Sequence, residues 1–366
     1  MKNYDYYLEQ ELYKSINKAY EWLYDSGKNL GNWKDVCSTS IVGIALAVRE
    51  PENSPWIISA KEWILNQQVE VEPDVACWGE DLSATSIAII ALLRLGVSPN
   101  EPKIKKALNF IHKKFNTNGK LNWYDEPWET SWSIFAIAES GRRDFLEDAY
   151  NGIDWLISLQ DADGRIVASH YSAYIIKIIN ALQKRQLVKE IDQIGYDETV
   201  FDASKYLIDI LTEEKLWTGE SWSNGHILWA LTSTDNFPYD DQKMISTIVN
   251  WFVRNQEAKG NWGSSECTGF AIKGLVSLLT GYKLYNMKDK SDTADIDTII
   301  FNNLRRLYKT PKLAIGKRFI ETHEDGSISL NFSPRLKKAT LILLAIAGVL
   351  LTVVGMWDLI MRILGF

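Results

Sequence analysis

Asp35 and Cys37 open an apolar stretch of the chain, "KDVCSTSIVGIAL" (34–46), with one residue between them. A carboxylate and a thiolate are two ligands of the kind that a catalytic zinc ion takes. Aspartate is also a common first residue of a helix, where its carboxylate accepts hydrogen bonds from free N–H groups. The pair therefore predicts either half of a zinc site or the capped start of a helix beside a small buried thiol.

This stretch is one of six copies of a repeat, and the copies show which elements position the two residues. The copies start at residues 35, 81, 126, 168, 220 and 264. Their fifth positions hold Thr39, Thr85, Thr130, Ser172, Asn224 and Thr268. These positions follow one another at steps of 46, 45, 42, 52 and 44 residues. Such regularity is typical of repeat architectures.

A second, amphipathic stretch precedes each copy and predicts a partner helix. Apolar residues recur there at three- and four-residue spacing, as Ile153, Leu156 and Ile157 do, and this is the helical period. A loop follows, often with glycine and tryptophan, as in "GNW" at 31–33 and 260–262, and such loops help to explain the 15 tryptophans. An apolar helix must be covered by a more amphipathic one. Six such pairs predict an all-α α6/α6 toroid, a double ring of helices.

Composition limits the classes of protein and partner. The 366 residues are 46% hydrophobic, enough to bury a sizeable core. The net charge of −7 argues against nucleic acid as a main partner, because nucleic-acid-binding proteins usually carry a positive charge. Three scattered cysteines do not form a disulfide framework and indicate a reducing compartment. The N-terminus lacks the apolar stretch of a signal peptide.

The chain after the sixth copy has a different character. Polar residues at 288–297 predict a linker, residues 294–308 a helix, and the alternation around Asp325 and Gly326 a β-hairpin. Residues 339–357 carry no charge and are long enough to span a bilayer as a helix. Arg335, Lys337 and Lys338 precede this stretch and predict that the bulk of the chain lies in the cytoplasm.

These features divide the chain into three predicted segments. Residues 1–282 form the toroid, residues 283–338 a linker with a helix and a short hairpin, and residues 339–366 a C-terminal transmembrane anchor. The expected localisation is a single-pass, tail-anchored membrane protein. The membrane is thus one expected partner, and contacts between C-terminal helices could form a homo-oligomer.

The loop signature Q-x(n)-G-x-W resembles the QW repeat of squalene and terpene cyclases, and the helix-pair period resembles the β-subunit of protein prenyltransferases. Both belong to the α/α-toroid superfamily, and the resemblance covers about residues 6–282. In that superfamily the first residues of the inner helices surround a central cavity. The resemblance therefore implies a small or lipid-like ligand bound in such a cavity.

Class II terpene cyclases carry D-x-D-D-T at these helix starts, and the middle aspartate protonates the substrate. No copy of the repeat keeps that pattern. The matching positions hold Cys37, Ser83, Trp128, His170, Trp222 and Glu266. Glu266 is the one carboxylate among them, and a buried glutamate with a raised pKa can act as an acid. We therefore take Glu266 and His170 as candidate catalytic residues, although ordinary class II cyclisation is not expected.

The prenyltransferase resemblance implies a zinc ion held by Asp and Cys of a D-x-C motif and by a histidine from another inner helix. Asp35 and Cys37 fit the motif, but Ala84 stands where the histidine should be. Cys267 would lie near the first copy if the ring closes, and it is the third candidate ligand. Zinc at these three residues remains one alternative, and a capped helix with a buried thiol is the other.

Further polar and aromatic residues near the inner helix starts are candidate ligand-binding residues. Acids occupy the first position of four copies: Asp35, Asp81, Glu126 and Glu220. They either attract a cation or only stabilise helix N-termini, by about 0.3–1 kcal/mol each. The candidate ligand-binding set is Asp81, Glu126, Trp128, Tyr171, Trp222 and His226. The aromatic members either line a cavity for an isoprenoid or simply fill space.

Two functions from different classes follow from these observations. In the first, the toroid is a sensor or effector that binds a ligand in its cavity and acts through the C-terminal helix, for instance by forming a pore in defence. In the second, it is a prenyltransferase-like or terpene-cyclase-like enzyme acting on an isoprenoid or lipid-like substrate. The absence of the D-x-D-D-T motif favours the sensor, and the predicted fold favours the enzyme.

Overall fold

Apolar and amphipathic helices alternate along the chain, as the repeat predicts. The computed structural model describes residues 2–27, 31–115, 122–188 and 193–288 and two strands at 320–322 and 328–330. Six amphipathic helices form an outer layer: α1 (Lys2–Ser26), α3 (Pro55–Asn66), α5 (Pro102–Lys113), α7 (Leu146–Ser158), α9 (Gln193–Asp209) and α11 (Gln242–Asn255). Six largely buried helices form an inner layer: α2 (Val36–Leu46), α4 (Leu82–Arg94), α6 (Pro127–Ser140), α8 (Ser169–Lys184), α10 (Ser221–Leu231) and α12 (Ser265–Lys288).

The inner helices form a closed ring. Each contacts the next inner helix along the chain, and α12 returns to contact α2. The outer layer closes in the same place, because α1 contacts α11 and α12. Gln256 seals this junction: its Nε2 donates to the carbonyl oxygens of Ser15 (2.9 Å) and Gly260 (2.7 Å), and its Oε1 accepts from the Ser15 hydroxyl. The predicted double ring of helices is thus present in the described residues.

The fifth position of every repeat has a structural role. Its side-chain oxygen accepts a hydrogen bond, 2.9–3.1 Å long, from a backbone N–H in the loop before the inner helix. The donors are Trp33, Trp78, Trp123, Ile166, Thr218 and Trp262, paired in order with Thr39, Thr85, Thr130, Ser172, Asn224 and Thr268. A buried N–H without a partner is costly, so this bond explains why a hydroxyl or amide recurs there.

Tryptophan in the same loops closes the end of the preceding outer helix. The last carbonyl groups of a helix have no partner within it. An indole Nε1 donates to one of them, at 2.6–2.9 Å, in five repeats. The acceptors are the carbonyl oxygens of Leu23, Ile64, Ile111, Leu207 and Phe252. These contacts account for a third of the 15 tryptophans of the chain.

A residue with positive φ turns the chain into the inner helix in five repeats. The positions are Lys34 (φ 78°), Glu80 (56°), Asp125 (58°), Val167 (54°) and Gly263 (78°). Only glycine adopts this left-handed region without a steric cost. The other four residues are therefore strained, and Val167 most of all because it is β-branched.

Glycines allow α10 and α12 to pack closely. A Cβ on Gly225 would lie 2.5 Å from the backbone of Phe270, and a Cβ on Gly274 would collide with the carbonyl oxygen of Gly225. The two helices are consequently in direct backbone contact near the place where the ring closes. A side chain on either glycine would push these helices apart.

One β-hairpin was not predicted and one was. In the loop after α3, β1 (Gln68–Glu72) pairs antiparallel with β2 (Val75–Trp78). This hairpin follows directly after α3, which ends at Asn66. The second hairpin pairs β3 (Ile320–Thr322) with β4 (Ile328–Leu330) around Asp325 and Gly326, as predicted.

The chain divides into two compact units, Met1–Lys309 and Thr310–Phe366. Helix α12 ends at Lys288, six residues beyond the predicted limit of the toroid at residue 282. None of the helices in the described residues is both long and apolar enough to cross a membrane. The span predicted at 339–357 lies outside those residues, and it therefore stays a prediction.

Candidate functional site

All six inner helices begin at one pole of the ring. Their first turns meet there: the Ser83 hydroxyl of α4 lies 3.4 Å from the Glu129 carboxylate of α6, and the Trp128 and Trp222 rings of α6 and α10 are 5.9 Å apart. We call this pole the mouth. Its half-buried residues are Cys37, Trp128, Glu129, His170, Tyr171, Trp222 and Glu266. With Asp81 and Glu126 at its rim, the mouth thus brings together both predicted catalytic residues and five of the six predicted ligand-binding residues.

The exposed acids around the mouth divide into two groups. Asp35 and Asp81 cap their helices, since their carboxylates accept from the backbone N–H groups of Ser38 (2.7 Å) and Ala84 (2.6 Å). The side chains of Glu126 and Glu220 form no such hydrogen bond. Helix capping therefore explains the acid in the first two repeats, and the other two acids remain exposed at the rim.

Two half-buried glutamates at the mouth hold their protons more tightly than usual. Burial, together with the charges of Asp81 and Glu126, raises the pKa of the Glu129 carboxyl to about 7. Burial and the charge of Asp35 likewise raise the pKa of Glu266. At neutral pH Glu129 is therefore protonated in a large fraction of molecules, as a general acid must be.

Glu129 is the site residue that the sequence interpretation missed. It occupies the fourth position of the third repeat, next to the position that the cyclase resemblance points to. It lies three positions after Glu126, about one helical turn further along the chain, and it is half-buried where Glu126 is exposed. Two acids three positions apart at the start of a largely buried helix were the signal for Glu129 in the sequence.

A column of aromatic rings continues from the mouth into the ring of helices. Its members are Trp128, Trp222, Trp132, Tyr174, His226, Phe270, Phe135 and Trp229. Trp132 packs edge-on against Tyr174 at 5.0 Å, and the Tyr174 and His226 rings are 4.0 Å apart. The deeper rings are fully buried, while Trp128 and Trp222 are half-exposed. A ligand that enters the mouth therefore meets ring faces first.

The two histidines of the column region are both kept neutral by burial. His170 lies beside Tyr171 (4.1 Å between ring centroids) and Trp222 (5.4 Å), and burial lowers its pKa. His226 lies deeper, and burial also lowers its pKa well below the usual value. Within the described residues neither ring nitrogen of His226 has a hydrogen-bond partner. His226 is thus a buried packing residue of the aromatic column, and His170 is the histidine that lies at the mouth.

The residues predicted to hold zinc do not fit a zinc ion. In the part of the chain that the structure describes, no three His, Cys, Asp or Glu side chains come together as metal ligands. The Asp35 carboxylate is used as a helix cap, since it accepts from the backbone N–H of Ser38. Burial and the charges of Glu266 and Asp35 raise the pKa of the Cys37 thiol to about 12. The structure thus supports the capped helix, with a half-buried thiol at Cys37.

Comparison with known proteins identifies the fold. No protein-family model and no curated protein matches the chain. Solved structures of the type II terpene cyclase MstE from Scytonema do match, each over 75% of this chain and 99% of MstE. The apo enzyme gives a TM-score of 0.54 at 15% identity. A variant with the substrate geranylgeranyl dihydroxybenzoate gives 0.54 at 14%, and another with the product merosterolic acid A gives 0.52 at 15%.

The match confirms the resemblance that the repeat and its loops indicated. It extends over nearly the whole length of MstE, so the likeness concerns the complete double ring rather than a few helices. The helical part of this chain therefore has the α/α-toroid fold of type II terpene cyclases.

Proposed function

We propose that this chain is a terpene-cyclase-like enzyme that binds an isoprenoid or another lipid-like molecule at the mouth and donates a proton to it from Glu129. The observation that carries the proposal is the Glu129 carboxyl itself, which has a pKa of about 7 and lies half-buried at the entrance of the aromatic column. The bound molecules named for MstE, an isoprenoid substrate and its product, support a ligand of this class.

The aromatic residues at the mouth suit both the ligand and a cationic intermediate. Trp128 and Trp222 stand edge to face, and their half-exposed rings offer apolar surface to a hydrocarbon chain. A ring face also stabilises a positive charge within about 6 Å, by about 0.5–1 kcal/mol at an exposed site and about 2 kcal/mol when the site is dry. Trp128, Trp132 and Tyr174 adjoin one another and would surround a carbocation formed next to Glu129.

The strength of the acid limits the substrate. A carboxyl with a pKa of about 7 is a weaker acid than a free glutamic acid, so it matches a centre more basic than a simple alkene. An epoxide oxygen on an isoprenoid chain is such a centre. Glu129 would give its proton to that oxygen as the C–O bond opens, and the resulting carboxylate would accept a proton from a carbon next to the final cation. The reaction is redox-neutral and returns Glu129 to its protonated form.

The test is to incubate the full chain with an isoprenoid epoxide and to search for an isomer of equal mass by chromatography and mass spectrometry. We expect conversion by the wild type, loss of conversion in Glu129→Gln, and unchanged conversion in Glu62→Gln, which removes an exposed acid from the outer helix α3. Binding is measured separately from the quenching of tryptophan fluorescence. Conversion that persists in Glu129→Gln would reject Glu129 as the acid.

A ligand sensor that acts through the segment 339–357 is the second candidate. It is favoured by the dense packing of the column, since Trp132, Tyr174 and Phe270 are at most 2% exposed and leave little room for a long substrate. It is tested by reconstituting the full chain into dye-loaded vesicles and measuring ligand-dependent leakage. Leakage that is lost in Gly348→Arg but kept in Asp35→Ala and Cys37→Ser would favour the sensor, and ligand binding without leakage or conversion would reject both candidates.

A further inference from the structure

A second opening lies at the pole opposite the mouth, where the inner helices end. It is a cavity of about 640 Å³. Its walls come largely from the tenth and fourteenth positions of the repeats, among them Ile44, Val48, Arg94, Glu139, Trp229 and Lys273. We call it the cation cavity. Its volume is in the range of small-molecule sites, about 300–1,000 Å³.

Positive charge dominates the wall of the cation cavity. Arg94, Lys184, Arg185 and Lys273 line it, and Glu139 is the one carboxylate among the lining residues. Glu139 is held by Arg94 at 2.5 Å and by Arg185 at 3.6 Å. One carboxylate cannot balance four cations, so the lining carries an excess of positive charge.

A fifth basic side chain, Lys177, lies beneath this wall, and burial and the charge of Arg94 lower its pKa well below the usual value. Its side chain is 4% exposed, and its Nζ lies 2.8 Å from the centroid of the Trp229 ring and 4.7 Å from that of Phe135. Within the described residues this Nζ has no hydrogen-bond partner. Arg94 and Lys273 approach the same Trp229 ring, at 4.7 and 5.2 Å. Three basic side chains therefore converge on one indole.

Helix dipoles explain only part of this charge. The C-terminal end of a helix carries about half a negative charge, which cations in the last turn stabilise. Arg94 and Lys184 are the final residues of α4 and α8 and fit this explanation. Lys177 lies about two turns before the end of α8, and α12 continues from Lys273 to Lys288. The dipole effect is confined to the last turn, so these two lysines require another explanation.

We propose that the cation cavity is a binding site for a phosphate-type anion with two or more negative charges. Such an anion would accept charge-assisted hydrogen bonds from Arg94, Arg185 and Lys273. The site lies at the other pole from Glu129, behind the aromatic column, so this inference is independent of the function proposed for the mouth.

The pH dependence of binding follows from the surroundings of Lys273. It faces Arg94 on α4, Glu139 on α6, Lys177 and Lys184 on α8, and Trp229 on α10. Burial and the charge of Arg94 lower its pKa to about 7. A bound anion stabilises the protonated lysine, so binding should take up protons near pH 8 and weaken as the pH rises above 7.

The first experiment is isothermal titration of the full chain with inorganic pyrophosphate at fixed ionic strength. We expect saturable binding, a loss of affinity of about tenfold in Lys273→Met, and a gain in Glu139→Gln. The control is Lys259→Met, which removes a lysine from another cavity, of about 510 Å³, that Glu21 and Asp25 also line. No saturable binding would overturn the proposal, and so would an equal loss in Lys273→Met and Lys259→Met.

Three further measurements sharpen the result. Repeating the titration at pH 8 in buffers of different ionisation enthalpy should reveal proton uptake in the wild type and less uptake in Lys273→Met, and equal uptake in both would contradict the role of Lys273. Thermal melts verify that each variant is folded. Pyrophosphate, a nucleoside triphosphate and geranylgeranyl diphosphate are then compared: similar affinities indicate a site for the free phosphate group, and a much higher affinity for the last indicates a phosphate carried by an isoprenoid.

Discussion

The backbone N–H of Trp78 donates to the Thr85 hydroxyl at 2.9 Å, and that hydroxyl in turn donates to the carbonyl oxygen of Asp81 at 2.8 Å. One side chain therefore joins the loop to the first turn of α4. Equivalent loop-to-helix bonds occur in all six repeats. The fifth position of the repeat thus has a structural role, because it fixes each loop to the start of the inner helix that forms part of the mouth.

Replacing Thr85 with valine should destabilise the toroid. The change keeps the shape but leaves the buried N–H of Trp78 without an acceptor, which costs about 1–3 kcal/mol. The control is Thr280→Val, because the Thr280 hydroxyl only donates to the Val276 carbonyl within its own helix. Urea unfolding followed by circular dichroism measures both. Equal losses in the two variants would show that the loop contact contributes no more stability than the hydrogen bond of Thr280 within its own helix.

Val167→Gly should stabilise the protein even though it removes a side chain. Val167 has φ 54° and is 55% exposed, so it bears left-handed strain with little packing to lose. Relief of about 1–2 kcal/mol of strain is partly offset by the greater freedom of glycine in the unfolded chain, for a net gain of about 0.5–1 kcal/mol. Val69→Gly is the control, since Val69 is similarly exposed at 51% but lies in strand β1, and it should lose stability.

The Glu129 carboxyl should make the wild type less stable as the pH rises from about 4.5 to 7. Its pKa is about 7 in the folded protein and 4.5 in a free side chain, so the folded state binds more protons within this window. The contribution of this carboxyl to the free energy of unfolding is complete below about pH 4.5 and is lost as the pH rises through about 7. Glu129→Gln removes the effect, so its melting temperature relative to the wild type should rise between pH 5 and pH 8. The exposed-site variant Glu62→Gln should show no such trend.

Lys273 should have the opposite effect on the pH dependence of stability, and at higher pH. Its pKa falls from 10.5 to about 7 on folding, so between these values the folded state binds fewer protons and stability increases with pH. The variant Lys273→Met lacks this pH-dependent contribution to stability. In buffer without multivalent anions, the variant should therefore exceed the wild type most at pH 7 and below, and the difference should shrink towards pH 10. A difference that is constant with pH would contradict the burial of this ammonium group.

Gly274→Ala should weaken the contact between α10 and α12. The added methyl group meets the Gly225 carbonyl oxygen, and such overpacking costs about 1–3 kcal/mol. Gly195→Ala is the matched control, because a Cβ at this position in α9 has no atom within 4 Å and improves helix propensity by up to about 1 kcal/mol. Opposite shifts of the melting temperature in the two variants are expected.

The scaffold was predictable because it repeats. Each pair of helices shows the helical period, and the fifth position and the loop glycines and tryptophans recur at almost constant steps. The hairpin of β1 and β2 was missed because it occurs in one loop only, with Val69 and Val71 exposed rather than on a buried face. Local pattern could not separate this short stretch from the end of α3.

The site was less predictable because it depends on neighbours that are distant in sequence. The pKa of Glu129 is set by burial and by Asp81, which is contributed by another inner helix. The cyclase motif points to the third position of each repeat, and Glu129 stands at the fourth. The lysines at the tenth position of two repeats, Lys177 and Lys273, were a visible departure from the apolar pattern, but only the closed ring shows that both face Trp229.

Closure of the ring has a consequence for synthesis of the chain. The contact between Ser15 and Gln256 joins residues 241 positions apart, and α2 reaches its second inner neighbour only when α12 is complete. Until the ribosome has released that helix, α2 and α10 present uncovered apolar faces. Contacts of such long separation form slowly, and exposed faces of this kind attract chaperones or other nascent chains. Premature termination before residue 265 would therefore yield an open, aggregation-prone row of helices rather than a smaller toroid.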